Sequence, residues 1–239
     1  MKRLIFRELW LSKKGVLLNT SIAALIYLFV LLTALSARFG NIARYADAET
    51  LGSVRRGLPL FCLVVCVVLM TGCEGMLTLI FADHASGWDR FLRTTGVKPI
   101  TWIGIKYVTI TFWMVLSAAA GLLLTDLVQN ICASDIAVQR YILLLCSLFS
   151  VFFAYVIPVY LKAGKPEKSS VLVAIPVLIA SFGFIILMMI LENRYGEEFL
   201  AKAILRLSEY AGLVPVIAIL SWTISFLVSL KITERSLLK

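Results

Sequence analysis

Histidine occurs once in this 239-residue chain, as His84, and charged residues make up only 15% of it. A soluble domain carries about a quarter charged residues, so a water-soluble globule with one core is excluded. One histidine leaves no second place to build a Ser-His-Asp triad, and no serine stands in a G-x-S-x-G setting. The G-x-x-x-x-G-K-[ST] phosphate loop, H-E-x-x-H and C-x-x-C are all missing. ATP binding through a phosphate loop is therefore not expected of this chain, and neither is a catalytic metal or any cofactor. Of the cysteines, Cys62, Cys66, Cys73 and Cys146 lie in apolar runs, where cysteine acts as a small hydrophobe. Cys62 and Cys66 share a helix face without a histidine or acid at ligand spacing, and Cys132 alone outside the runs has no disulfide partner.

What the chain does have is apolar length: 61% of its residues are hydrophobic. A membrane span needs roughly 20 mostly apolar residues. Six stretches qualify, from about Val16 to Ser36, Leu58 to Phe81, Ile100 to Thr125, Tyr141 to Leu161, Val171 to Leu191 and Leu213 to Leu230. None shows strand alternation, so a β-barrel is excluded and the expected fold is an all-α membrane protein, a single transmembrane domain over 1–239. The opening "MKRLIFRELWLSKKG" carries charge through Lys14, unlike a signal peptide, and its apolar residues recur at helical spacing. It reads as a retained interfacial helix over 1–15. A second amphipathic stretch, with Leu200, Ile204 and Leu207 on one stripe, reads as an extracellular helix over 192–212, before span six.

The net charge of +9 could suggest nucleic acid, but the basic residues flank the spans and suit anionic headgroups instead. With the N-terminus inside, 14 Lys and Arg fall on the cytoplasmic side and 8 outside. That places both termini in the cytoplasm, against the weight of Arg38, Arg44, Arg55 and Arg56 in the first outer loop.

Glu74 and Lys106 lie well inside spans two and three. A charge at mid-bilayer costs about 2.5–3.5 kcal/mol on insertion scales, so each needs a partner or water. In an antiparallel hairpin both sit about 12 Å from the connecting loop, which makes a Glu74–Lys106 ion pair the expected solution, with snorkelling of Lys106 as the alternative. Pro158 and Pro176 fall within spans four and five, where each either hinges a gate or kinks a helix packed against its neighbours. Ser117 and Gly121 make a small-xxx-small face for close packing, within the subunit or between copies.

Between spans two and three, residues 82–99 carry their own punctuation. Ser86 can cap a helix with Asp89 three residues on, Gly96 can close it, and Pro99 follows the stop. Trp88, Phe91, Leu92 and Thr95 share one face, while Asp89, Arg90 and Arg93 point elsewhere. A helix this short is marginal alone, so it needs a surface to lie on. Its charged face is either a handle for a soluble partner or part of a plain amphipathic linker.

The series Asp83, Gly87-Trp88, Phe91-Leu92, Pro99 and Lys106-Tyr107 resembles the ABC type-2 exporter permeases, in particular the six-span membrane subunits of bacterial exporters for phenol-soluble modulins and lantibiotic-type peptides. His84 and Val97-Lys98 depart from that pattern. The resemblance implies a separate cytoplasmic ABC ATPase as partner, two permease copies forming the path as a homodimer in the bacterial plasma membrane, and transport outward. It also makes the loop a coupling helix, with Asp83, Asp89, Arg90 and Arg93 toward the ATPase and Trp88 and Phe91 as anchors. The apolar spans suit an amphipathic peptide or lipid-like cargo. A carrier or channel without an ATPase would need more intramembrane polar groups and an internal repeat, and a membrane enzyme would need clustered His, Asp or Glu.

Overall fold

The computed structural model describes residues 2–134, 138–163, 171–179 and 212–237, with a few positions between 182 and 194. Its regular elements are α1 (Lys2–Phe39), α2 (Asn41–Tyr45), α3 (Ala48–Thr71), α4 (Glu74–Ala85), α5 (Trp88–Thr94), α6 (Pro99–Cys132), α7 (Val138–Ala163) and α8 (Val214–Leu237). No strand occurs among the described residues, and residues 171–179 are helical as well. Five helical stretches are long and apolar enough to cross a membrane: Lys2–Phe39, Ala48–Asp83, Pro99–Cys132, Val138–Ala163 and Pro215–Arg235. Part of the expected fifth span, residues 180, 181, 183–185, 187, 188 and 191, and nearly all of the expected helix over 192–212 lie outside the described residues.

The expected division between an interfacial helix and span one is not present. One helix runs from Lys2 to Phe39, and its 38 residues cover about 57 Å, nearly twice a ~30 Å hydrocarbon core. Neither Gly15 nor the paired Lys13 and Lys14 breaks it, since glycine costs a helix only about 1 kcal/mol. The basic first third and the apolar remainder form one rod.

The chain divides into two compact units, the first made of Met1–Leu79 with Ile105–Cys146. Its core is built on small residues of α1. Ala34 and Ala37 pack with Val30 against Leu58 and Cys62 of α3 and Val128 and Cys132 of α6. Ala23 packs against Val65 and Leu69 of α3. Small side chains bring helix axes close, which is how helices associate where lipid removes the hydrophobic drive.

Helix ends in this unit are closed by side chains from neighbouring helices. Arg38 donates to the carbonyls of Asn130 (2.8 Å) and Ile131 (3.1 Å) at the end of α6. Arg55 donates to the carbonyl of Ala37 (3.0 Å) at the end of α1. A cation at a helix C-terminus satisfies orphan carbonyls and meets the negative end of the dipole. At the other polarity, Asp47 caps α3 by accepting from the Thr50 N–H at 3.1 Å. Hydrogen bonds from the Thr50 side chain and amide hold its carboxyl below the usual range, so the cap weakens only as pH falls through that lowered value.

The second expected span is broken. After Thr71 the chain turns through Gly72 and Cys73, with the Gly72 N–H on Leu69 O (3.2 Å) and the Cys73 N–H on Met70 O (3.1 Å), before α4 begins. Leu69 O also accepts from the Trp113 indole N–H at 2.9 Å and the Ser117 hydroxyl at 3.4 Å. A Cβ on Gly72 would stand 2.7 Å from that indole nitrogen, so glycine is required for the close approach.

The second unit contains Ile80–Gly104 and Ser147–Lys239. Pro158 in α7 has no N–H for the carbonyl four residues back, Ala154. The Ser225 hydroxyl of α8 donates to it at 2.5 Å instead, and the Trp222 indole donates to the Ser150 hydroxyl. The paired positions advance together along both helices, so α7 and α8 run parallel and end at the same level. Pro158 lies inside α7, and the carbonyl it leaves without a helix partner is satisfied by α8.

Gly72→Ala is expected to lower unfolding stability in detergent by about 1–3 kcal/mol, as overpacking does. In a Trp113→Leu background the same change should cost at least about 0.5 kcal/mol less, because the clashing ring is gone. Equal cost in both backgrounds would contradict this account of the break.

Candidate functional site

The corner between the second and third spans is made of three helices in quick succession. α4 ends at Ala85, where the Ser86 N–H reaches Ala82 O (2.9 Å) and the Ser86 hydroxyl donates to Asp83 O (3.2 Å). Ser86 therefore closes α4 and does not cap α5, as the sequence had led us to expect. Gly87 makes the turn at φ +70, in the left-handed region open to glycine, and its carbonyl accepts the first bond of α5 from the Phe91 N–H at 3.0 Å.

α5 is seven residues, about 10 Å long. Gly96, at φ +76, closes it, and the Val97 N–H reaches back to Leu92 O at 3.1 Å, the six-to-one bond of a Schellman turn. The Thr94 and Thr95 hydroxyls donate to the carbonyls of Phe91 (2.8 Å) and Leu92 (2.9 Å). Pro99 then opens α6 at the first helical position, where a missing N–H costs nothing.

The face expected to carry Trp88, Phe91, Leu92 and Thr95 together is split. Leu92 is 4% exposed and anchors α5, whereas Phe91 is 53% exposed. Trp88 is half-buried and stacks on Phe91 with ring centroids 5.2 Å apart. A residue i and its neighbours at i+3 and i+4 meet on a helix, but the supporting surface covers only part of that arc. Asp83, counted with the docking residues in the sequence, is buried in α4 and stands behind the corner. The side chains of His84, Asp89, Arg90 and Arg93 lie outside the described residues, although their backbone belongs to α4 and α5.

Lys106 has a partner that the sequence did not indicate. Its Nζ lies 3.2 Å from Oε2 and 3.4 Å from Oε1 of Glu8, on α1. Arg7 Nη1 is 3.0 Å from the same Oε1. Glu8 and Lys106 are both buried. Glu74 is exposed, so the expected Glu74–Lys106 pair is corrected to Glu8–Lys106. The reason is geometric: the turn at Gly72 and Cys73 restarts the helix at Glu74 and fixes its side chain on the outer face, while α1 supplies a carboxylate at the depth of Lys106. Glu8 is the single acid among Lys2, Arg3, Arg7, Lys13 and Lys14, and that isolation was the signal available in the sequence.

No group of histidine, cysteine and carboxylate side chains suited to a metal occurs among the described residues. What the corner offers is a short helix with Leu92 buried, Phe91 exposed and a half-buried Trp88 stacked beside it.

A family model described as ABC-2 family transporter protein matches residues 52–234. The chain belongs to that family. It is thus a multi-pass membrane subunit of an ABC transporter, not itself catalytic, in a family that works with an ATPase partner. No curated protein matches the chain. The matched range begins after α1, so Glu8 lies outside it.

Lys106→Met leaves Glu8 buried with Arg7 as its remaining counter-charge, and should cost about 1–3 kcal/mol of unfolding stability. Removing both charges in Glu8→Leu with Lys106→Met should recover most of that loss in the same detergent melt. A double variant as unstable as the sum of the single losses would contradict the pairing.

Proposed function

We propose that this chain is the permease subunit of an ATP-driven exporter, with α5 as the helix that docks on a separate cytoplasmic ABC ATPase. The observation that carries the reading is the α4–α5–α6 corner: a short helix closed by left-handed glycines at both ends, pinned by Leu92 and presenting Phe91 and Trp88 outward. An exposed phenylalanine stacked on a tryptophan is the composition of an interface hot spot. Phe91 and Trp88 are the anchors, and Asp89, Arg90 and Arg93 supply the charged contacts. Asp83 holds the corner from within.

Both termini belong in the cytoplasm on this reading. Arg38 and Arg55 had weighed against it, but each is spent on the carbonyl end of a helix. The path for cargo forms between two copies of the permease, and the apolar spans favour an amphipathic peptide or lipid-like molecule moving outward. A carrier without an ATPase needs free ionisable groups within the membrane, whereas the buried Lys106 is paired with Glu8.

The test is co-purification with an ABC ATPase, which the adjacent reading frame is expected to encode. Trp88→Ala with Phe91→Ala should reduce retained ATPase at least about tenfold, the loss of one hot spot. Arg90→Glu with Arg93→Glu should do the same, while each variant still inserts in the membrane. Undiminished retention and transport in both variants would sink the coupling role of α5.

A further inference from the structure

The second unit holds a groove that the transport reading leaves unused. Two adjoining cavities, of about 570 and 430 Å³, lie along α7 and α8 and share Pro158, Val159 and Val228 in their walls. Beside them the Trp222 indole and the Ser225 hydroxyl of α8 bond to Ser150 and Ala154 of α7, holding the two helices together.

The groove has a polarity. Its deep part is lined by Val151, Ile224 and other apolar side chains, and its end by Lys162 and Arg235, each in the last turn of its helix. On α8 the wall runs from Ser221 through Val228 to Arg235, at helical spacing, over about 21 Å at 1.5 Å per residue. One leaflet of a ~30 Å hydrocarbon core is about 15 Å deep. The groove therefore reaches from the headgroup level, where the two cations sit, to about the middle of the membrane. Glu234 follows a different line on α8 and is not part of the wall. Neither Lys162 nor Arg235 makes an ion pair within the chain among the described residues.

We propose that this groove binds an anionic phospholipid of the surrounding bilayer, with its phosphate between Lys162 and Arg235 and one acyl chain along the α7–α8 furrow. The charge complementarity selects an anion, since Arg matches phosphate with a planar fork and Lys adds a point charge. The apolar depth selects an anion that carries a chain, because a free phosphate would leave the furrow unfilled. Basic pockets between spanning helices at the membrane face bind lipid headgroups by the same physics.

Native mass spectrometry tests this on the full chain released from mixed micelles of phosphatidylglycerol and phosphatidylcholine with identical acyl chains. Phosphatidylglycerol should be retained about tenfold over phosphatidylcholine, as two basic groups near the surface would give. Lys162→Ala with Arg235→Ala should bring that ratio close to one, while Lys162→Arg with Arg235→Lys should keep it. Val228→Trp fills the furrow without touching the charges and should lower retention of phosphatidylglycerol. Thermal melts of each variant separate lost binding from lost fold. The proposal is overturned if the native chain does not discriminate between the two lipids, or if folded Lys162→Ala with Arg235→Ala discriminates unchanged. Displacement by glycerol phosphate as effective as by phosphatidylglycerol would equally overturn it, since that result makes the groove irrelevant.

Discussion

Inside a bilayer, a backbone carbonyl that loses its helix partner has no water to turn to, and neither does a charge. Every irregularity must be answered from within the protein. The long-range polar contacts of this chain are such answers. Leu69 O, which takes only the Gly72 N–H of the turn where the second span breaks, also takes the Trp113 indole. Ala154 O, freed by Pro158, takes the Ser225 hydroxyl. Ala37 O at the end of α1 takes Arg55, and Lys106 takes Glu8. Three of the four join helices 44 to 98 residues apart in sequence, so the rule that forbids unpaired polar groups also bears on which helices pack together.

The same constraint gives the transport reading its mechanical form. α5 is too short to be stable alone and depends on Leu92 beneath it and on the turns at Gly87 and Gly96. Short glycine turns, and not a long loop, join α5 to the ends of α4 and α6. Seven residues beyond Pro99, Lys106 ties α6 to the charged first third of α1. A buried ion pair contributes little net stability, but it is costly to break by halves, which suits a joint that must move as one piece.

The sequence showed the spans plainly, because some 20 apolar residues in a row admit few other readings. It also showed the corner: Gly96 as terminator and Pro99 as restart were legible because glycine and proline act through their own backbone restrictions. Ser86 misled because a serine at a helix boundary serves the end before it as readily as the start after it. The partner of Lys106 was not legible. Depth along a span can be counted, but the face of a helix after a break cannot, and the turn at Gly72 moved Glu74 outward. The continuity of α1 was hidden for a related reason, since a change of composition at Lys14 marks where the environment changes and not where the helix stops. The anchoring role of Leu92, as against the exposure of Phe91, depends on a neighbouring surface that no local pattern describes.

The central claim is that α5 is where the ATPase meets the membrane subunit. Photo-crosslinking from a benzophenone amino acid placed at Phe91 tests it most directly, with Leu123, about 36 Å from Pro99 along α6 by helical rise, as the control position. The account predicts a crosslink to the ATPase from position 91, altered in yield by ATP, and none from position 123. No crosslink from 91, or equal yields from both positions, would contradict it.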